Sequence, residues 1–309
     1  MAASSPIFNT ILVPLDGSRL AERALPHAAN VGRAVGGRLL LARSAEHTGS
    51  PTVGLDAMKQ LDLYLAGLAE PLRRTGIDVS TRVDAGDPVA GLLDLQRGMQ
   101  ADLVVMATLG RSGAQRWLHG SVTEGVLAGS ATPVLLIRVL PTEPAVRTDS
   151  AAPNLLVPLD GSEFAESILP TVQALATAAH GSLTLIQVVP MPSACTMGLV
   201  ATTGAYPPAE PETDESQALE YLQQVRARLL AADPTSHIHL EVRVGEPASQ
   251  ISAAVGDRYA LLIALASQAL TGVGRLLLGS TTDSLLRSAD APLLGGPAGR
   301  RPRQAEQRH

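Results

Sequence analysis

The chain reads as an α/β protein of two tandem domains, each a five-stranded parallel sheet with helices on both faces. Three observations carry that reading. The first is an internal repeat. Val13-Pro-Leu-Asp-Gly-Ser-Arg-Leu-Ala-Glu-Arg-Ala-Leu-Pro26 recurs as Val157-Pro-Leu-Asp-Gly-Ser-Glu-Phe-Ala-Glu-Ser-Ile-Leu-Pro170, with ten of fourteen positions identical at an offset of 144. Gly86-Asp-Pro88 then matches Gly245-Glu-Pro247, Trp117-Leu-His-Gly-Ser121 matches Leu276-Leu-Leu-Gly-Ser280, and Thr132-Pro-Val-Leu135 matches Ala291-Pro-Leu-Leu294, all at an offset of 159. The second copy therefore carries about fifteen extra residues, expected in the Pro/Thr/Glu-rich stretch from Met191 to Ser216. The second observation is a regular alternation of short apolar runs with helix-spaced apolar residues. The third is a break between the copies, where Leu140 to Pro153 is rich in Pro and small polar residues and has no helical stripe.

In the first copy Thr10–Leu15 is a branched apolar run, as a parallel strand buried on both faces should be. Arg19 to Val35 has helical spacing and ends at Gly36-Gly37. Arg38–Ala42 is a second strand, Leu55–Arg74 a helix and Val79–Val83 a third strand. A helix from about Val89 to Gln100, a strand at Leu103–Ala107, a glycine-rich loop, a helix at Val122–Ala128 and a strand at Val134–Val139 complete the unit. This order implies a parallel sheet, in which ligands sit outside the carboxyl ends of the strands where the strand order reverses. The domains are expected at 1–145 and 152–298, with a flexible polar tail at 299–309.

Composition removes several functions. Of 309 residues 45% are hydrophobic and 17% charged, enough for a large core and too apolar for a disordered chain. Seven aromatic residues, a net charge of −5 and no basic stripe argue against a nucleic-acid partner. The lone Cys195 rules out an internal disulfide framework and a cysteine zinc cluster. The sole lysine, Lys59, lies in Met-Lys-Gln, so the Gly-Lys pair of a phosphate-binding Walker loop is absent. No apolar run approaches membrane-spanning length and the start lacks a basic leader, so a cytoplasmic protein without a membrane partner is expected.

Two strand ends carry chemistry. The first runs into Pro14-Leu15-Asp16-Gly17-Ser18, where Asp16 either accepts hydrogen bonds from a sugar hydroxyl or amino group or, with Ser18, caps the following helix. The fourth runs Met106-Ala-Thr-Leu-Gly110-Arg-Ser-Gly113, with Arg116 and then Gly120-Ser121 opening a helix and Glu124 at capping-box spacing from Ser121. Gly110 and Gly113 allow close backbone approach, and Arg111 and Arg116 add positive charge. Exposed amides at that helix start would bind an anion such as phosphate; the alternative is an ordinary loop that caps its helix. His237 and His239 share a strand face, as metal ligands or as a plain surface, and His119 beside the loop is a candidate base. Glu22 and Glu166 repeat on the first helix and read as a solvated face.

The phosphate-loop spacing resembles the universal stress protein family in its tandem form. The family pattern Gly-x2-Gly-x9-Gly-(Ser/Thr) falls on Ala107-x2-Gly110-x9-Gly120-Ser121, with Ala replacing the first Gly. The family's strand-one aspartate falls on Asp16 and its closing Ala-Pro-Val strand on Thr132-Pro133-Val134, and the resemblance spans both copies. It implies sheets ordered 3-2-1-4-5 that bind an adenine nucleotide. Asp16 would then contact ribose or adenine, with Pro14 and Leu15 shaping the pocket. Arg43 takes the place of an apolar residue whose backbone faces adenine. Met106, Ala107, Gly110, Arg111, Ser112, Gly113, Gly120 and Ser121 would surround the phosphates, with ATP accompanied by Mg2+ or Mn2+. In the second copy the pattern becomes Ala266-x2-Ala269-x9-Gly279-Ser280, with Asp160 kept and Val188 at the adenine-facing position. A methyl at residue 269 obstructs the backbone approach, so the first copy is expected to bind and the second to be weakened or empty.

The resemblance implies a nucleotide-dependent binding protein of stress response or signalling, not an enzyme, with slow ATP hydrolysis as an option. An ATP-dependent ligase would need a Ser-Gly-Gly-x-Asp-Ser loop after strand one, and Asp16-Gly17-Ser18 is too short for it. The third reading is a nucleotide-free scaffold. Because the family's fifth strand pairs across a dimer interface, the two copies are expected to form an internal pseudo-dimer, with a homodimer of tandems also open. Val134–Val139 is a good strand for that role, whereas Leu293–Pro297 is short and broken by Gly and Pro.

Overall fold

The computed structural model describes residues 7–45, 51–109, 121–139, 153–191, 211–256, 261–267, 281, 284–285 and 291–297. In the first half β1 (Thr10–Pro14) leads to α1 (Arg19–Glu22) and α2 (Ala24–Val35), then β2 (Arg38–Ala45), α3 (Pro51–Arg74), β3 (Val79–Ala85), α4 (Pro88–Gly98), β4 (Leu103–Leu109), α5 (Ser121–Gly129) and β5 (Val134–Val139). The second half repeats this with β6 (Asn154–Pro158), α6 (Glu163–Glu166), α7 (Leu169–Ala178), β7 (Ser182–Val189), α8 (Pro211–Ala232), β8 (His237–Val244), α9 (Pro247–Gly256), β9 (Leu261–Ser267) and β10 (Leu293–Pro297).

The expected order 3-2-1-4-5 is present in each half, but the two sheets are one. All ten strands form a single sheet ordered β3-β2-β1-β4-β5-β10-β9-β6-β7-β8. Pairing is parallel within each half, and the halves meet through the antiparallel pair β5–β10, with Leu136 opposite Leu293 and Val134 opposite Gly295. The glycines that made β10 look broken serve this junction: a Cβ on Gly296 would stand 2.5 Å from Ile168 Cδ1, so the missing side chain admits Ile168 onto the sheet. The pairing also removes two free strand edges.

Strand burial follows from the two helix layers. Every residue of β1 is buried. Ile11, Val13 and Leu15 join Leu39, Leu41, Leu65 and Val105 on one face, while Leu12 joins Leu40, Val104, Leu92 and Val126 on the other. The helix expected over Arg19–Val35 is broken at Arg23, which caps α1 and precedes α2. Pro26 is the cause: it has no N–H for the Glu22 carbonyl, and its ring would collide with that carbonyl in a continuous helix. Pro170 produces the same break between α6 and α7.

His27, largely buried on α2, has its pKa lowered to about 4 by burial and by the neighbouring Arg23 charge. A folded-state value below the unfolded one means full stability above about pH 6.5 and a loss as the pH falls from there toward 4. Denaturant melts at pH 7 and pH 5.5 should show the wild type losing roughly 1 kcal/mol more than His27→Gln.

Candidate site at the strand-order reversal

In each half the strand order reverses between the first and fourth strands, so the crevice lies at the carboxyl ends of β1 and β4 and again of β6 and β9. The chain leaves β1 through Asp16, which is exposed, and Gly17, whose φ of +85° suits glycine. Asp16 Oδ1 accepts from the Ser18 amide at 2.8 Å, and Ser18 Oγ accepts from the Ala21 amide at 3.1 Å, capping α1. Asp160 repeats the arrangement: its Oδ1 accepts from the Ser162 amide at 3.0 Å and hydroxyl at 2.6 Å, while Ser162 caps α6. The capping role is thus taken by serine, and the carboxylate of Asp16 keeps its second oxygen without a donor among the described residues. Ser18→Ala should cost about 1 kcal/mol of folding stability in a urea melt, since one helix-start amide loses its acceptor.

Beneath each turn stands a buttress that the repeat pattern did not reveal. Tyr64 on α3 donates its hydroxyl to Glu22 Oε1 at 2.9 Å, and Tyr221 on α8 donates to Glu166 Oε1 at 2.9 Å. Burial and the glutamate acceptor raise the pKa of both phenols, so each remains a donor at neutral pH. Glu22 and Glu166 are therefore not the plain solvated face expected of them; they tie the first short helix to the long helix behind it. A usable signal existed, because two of the four tyrosines occupy the same helical place in the two copies.

Cations complete the buttress differently. In the first half the Arg43 guanidinium lies over the Tyr64 ring, 5.0 Å from its centroid. In the second half Arg228 on α8 pairs with Glu166 Oε2 at 2.7 Å. Strand register corrects one expectation here. Ala42 pairs with Pro14 and Ile186 with Pro158, so the counterpart of Arg43 is Gln187, and Val188 lies one residue further on. Val188 packs partly buried on the opposite face of the sheet.

The other expected residues divide into four groups. Pro14, Leu15 and Met106 are buried, Leu15 and Met106 in opposite core layers, so their side chains serve packing and only their backbone borders the crevice. Ala107 is partly buried near the end of β4, and Ser121 is the first residue of α5. Gly110, Arg111, Ser112, Gly113, Arg116, His119, Gly120, Gly279 and Ser280 lie outside the described residues. His237 and His239 are exposed on the outer strand β8. Among the described residues no three His, Cys, Asp or Glu side chains stand together as metal ligands.

The Universal stress protein family model matches residues 8–138 and again residues 152–294. The chain belongs to the universal stress protein family. Single-unit relatives align with one half of it. A universal stress protein of Thermus aquaticus is 34% identical over 140 residues, covering 43% of this chain and all of the relative. One of Methanocaldococcus jannaschii is 29% identical over 143 residues, covering 43% of this chain and 83% of the relative. The crystal structure of a universal stress protein from Archaeoglobus fulgidus matches the whole tandem, covering 94% of this chain and 99% of its own, with a TM-score of 0.71 at 21% identity. That likeness shows that this universal stress protein shares the two-copy fold. Among its described residues no helix is long and apolar enough to cross a membrane.

Proposed function

We propose that the chain binds adenine nucleotides, ATP in the first instance, and acts in stress response or signalling by nucleotide-dependent binding instead of turnover. One observation carries the reading: an exposed carboxylate with a spare acceptor oxygen stands at the strand-order reversal of each half, the place where open α/β sheets take their ligands. Asp16 and Asp160 would hold the ribose hydroxyls. The first turn of α5, opening at Ser121 after Gly120, would face the phosphates with its amides and positive dipole end. A Mg2+ or Mn2+ ion would be carried mainly by phosphate oxygens and water.

In this reading the functional unit is the internal pseudo-dimer of domains 1–145 and 152–298, working in the cytoplasm, with 299–309 as a tail. The test is calorimetric titration of ATP, AMP and cyclic AMP into the wild type, Asp16→Ala, Asp160→Ala and Gly110→Asp. Binding that weakens in the variants supports the proposal. Equal affinity in all four proteins overturns it, and no binding to the wild type leaves a nucleotide-free scaffold as the reading.

A further inference from the structure

Joining β5 to β10 leaves the ten-stranded sheet with two edges, β3 and β8. An edge strand presents a row of backbone groups that a strand of another chain can pair with, and proteins blunt such rows with cations, prolines, bulges or short strands. Which groups face outward follows from a bond on the inner side of each edge. Leu39 donates to the Asp78 carbonyl at 2.8 Å, so Val79, Thr81, Val83 and Ala85 turn their N–H and C=O groups away from β2. Gly245 donates to the Val189 carbonyl at 2.9 Å, so the outward set on β8 is Ile238, Leu240, Val242 and Val244. The two edges are finished differently. At β3 the outward carbonyl of Val79 is taken by Arg73 at the end of α3, whose Nε and Nη2 donate at 3.0 and 2.7 Å. The last turn of α8 carries no basic residue to do the same for β8. β8 pairs with β7 residue for residue along its full length, without a bulge, and His-Ile-His-Leu-Glu-Val-Arg-Val contains neither proline nor lysine. Among the described residues nothing bonds its outward amides or carbonyls.

We propose that β8 is the docking edge for β8 of a second copy of this chain, antiparallel about a twofold axis, so that two ten-stranded sheets become one. The side chains choose the register. Ile238, Leu240 and Val242 pack on the core face beneath Leu222, Val225 and Leu229 of α8. Glu241 and Arg243 alternate onto the other face and pair with each other, Arg243 Nε donating to Glu241 Oε1. Outward residues must stand opposite outward residues, so an axis that keeps most of the strand paired passes through Leu240, Glu241 or Val242. An axis at Glu241 sets the two glutamates against each other, and one at Leu240 sets His237 against the second copy's Arg243. An axis at Val242 sets Glu241 against the second copy's Arg243 and Arg243 against its Glu241, with Leu240 opposite Val244. Each charge then has opposite charges on both sides, one along its own strand and one across the axis. The edge belongs to the sheet and is independent of the nucleotide reading.

The test is sedimentation equilibrium of the full chain over a concentration series. The wild type should form a dimer. Glu241→Arg and Arg243→Glu each place like charges across the axis and should raise the dimer dissociation constant about tenfold. An equimolar mixture of these two variants should recover wild-type affinity, because the two arginines of one chain then face the two glutamates of the other. A variant that merely folds poorly cannot give that rescue. Val242→Pro removes the outward donor at the axis and leaves the bonds to β7 in place, so it should weaken the dimer by a similar factor. Melting curves check that it is folded, and the mixing experiment decides should it not be. A wild type that stays monomeric overturns the proposal, as does a dimer indifferent to the charge reversals or a mixture that associates no better than its components.

Discussion

Asp16→Ala should lower nucleotide affinity of the first half by roughly ten- to hundredfold, or about 2 kcal/mol, when the second half is silenced by Asp160→Ala and binding is read by calorimetry. The magnitude is that of hydrogen bonds from sugar hydroxyls to a charged acceptor. Part of any loss could come from the turn, because Asp16 Oδ1 also accepts from the Ser18 amide at 2.8 Å. Asp16→Asn separates the two contributions. It keeps a turn acceptor while removing the charge, so it should fold as the wild type does and still bind poorly. Unchanged affinity in Asp16→Ala would remove the carboxylate from the site.

Gly37→Ala should reduce unfolding free energy by about 3 kcal/mol, while Gly36→Ala should cost only about 1 kcal/mol, both measured by urea denaturation. The two glycines between α2 and β2 do different work. Gly36 has a φ of +68° and ends α2 in the left-handed conformation, but the space around it is open. Its counterpart in the second half is His180, which adopts a φ of +51° and shows that a side chain fits there. Gly37 needs its missing Cβ for another reason: the main-chain carbonyl of Phe8 lies against it, and Gly181 meets the carbonyl of Pro153 in the same way. Because the obstacle is backbone at the start of β1 or β6, it cannot move aside as a rotamer would. A Gly37→Ala variant as stable as Gly36→Ala would show that this approach loosens readily.

The strands were legible because burial on both faces leaves few residue types for them, as in β1 and β5. The serine caps of α1 and α6 were open to the same inspection, since they depend on neighbours two or three residues away. Helix continuity was misread at Arg23 because the apolar spacing runs on through Pro26 while the hydrogen bonding does not. The sequence treats Arg43 and Val188 as equivalent positions, whereas the strand register makes Gln187 the counterpart of Arg43; register is set by the partner strand, and a one-residue slip exchanges the faces of the sheet. Tyr64 and Tyr221 escaped notice because their partners lie 42 and 55 residues away along the chain.

Sequence alone determined that the chain is two copies of one α/β unit, that each first strand ends in Asp-Gly-Ser, and that family membership follows. Those are consequences of local pattern and of repetition, which survive without coordinates. Three-dimensional packing decided that ten strands make one sheet through β5 and β10, and that Arg43 and Gln187 hold the same register position. It also decided that one half roofs its turn with a guanidinium while the other leaves the space open. The reason is physical: pairing register and side-chain stacking join residues distant in the chain, and no periodicity within a single segment encodes where its partner will stand.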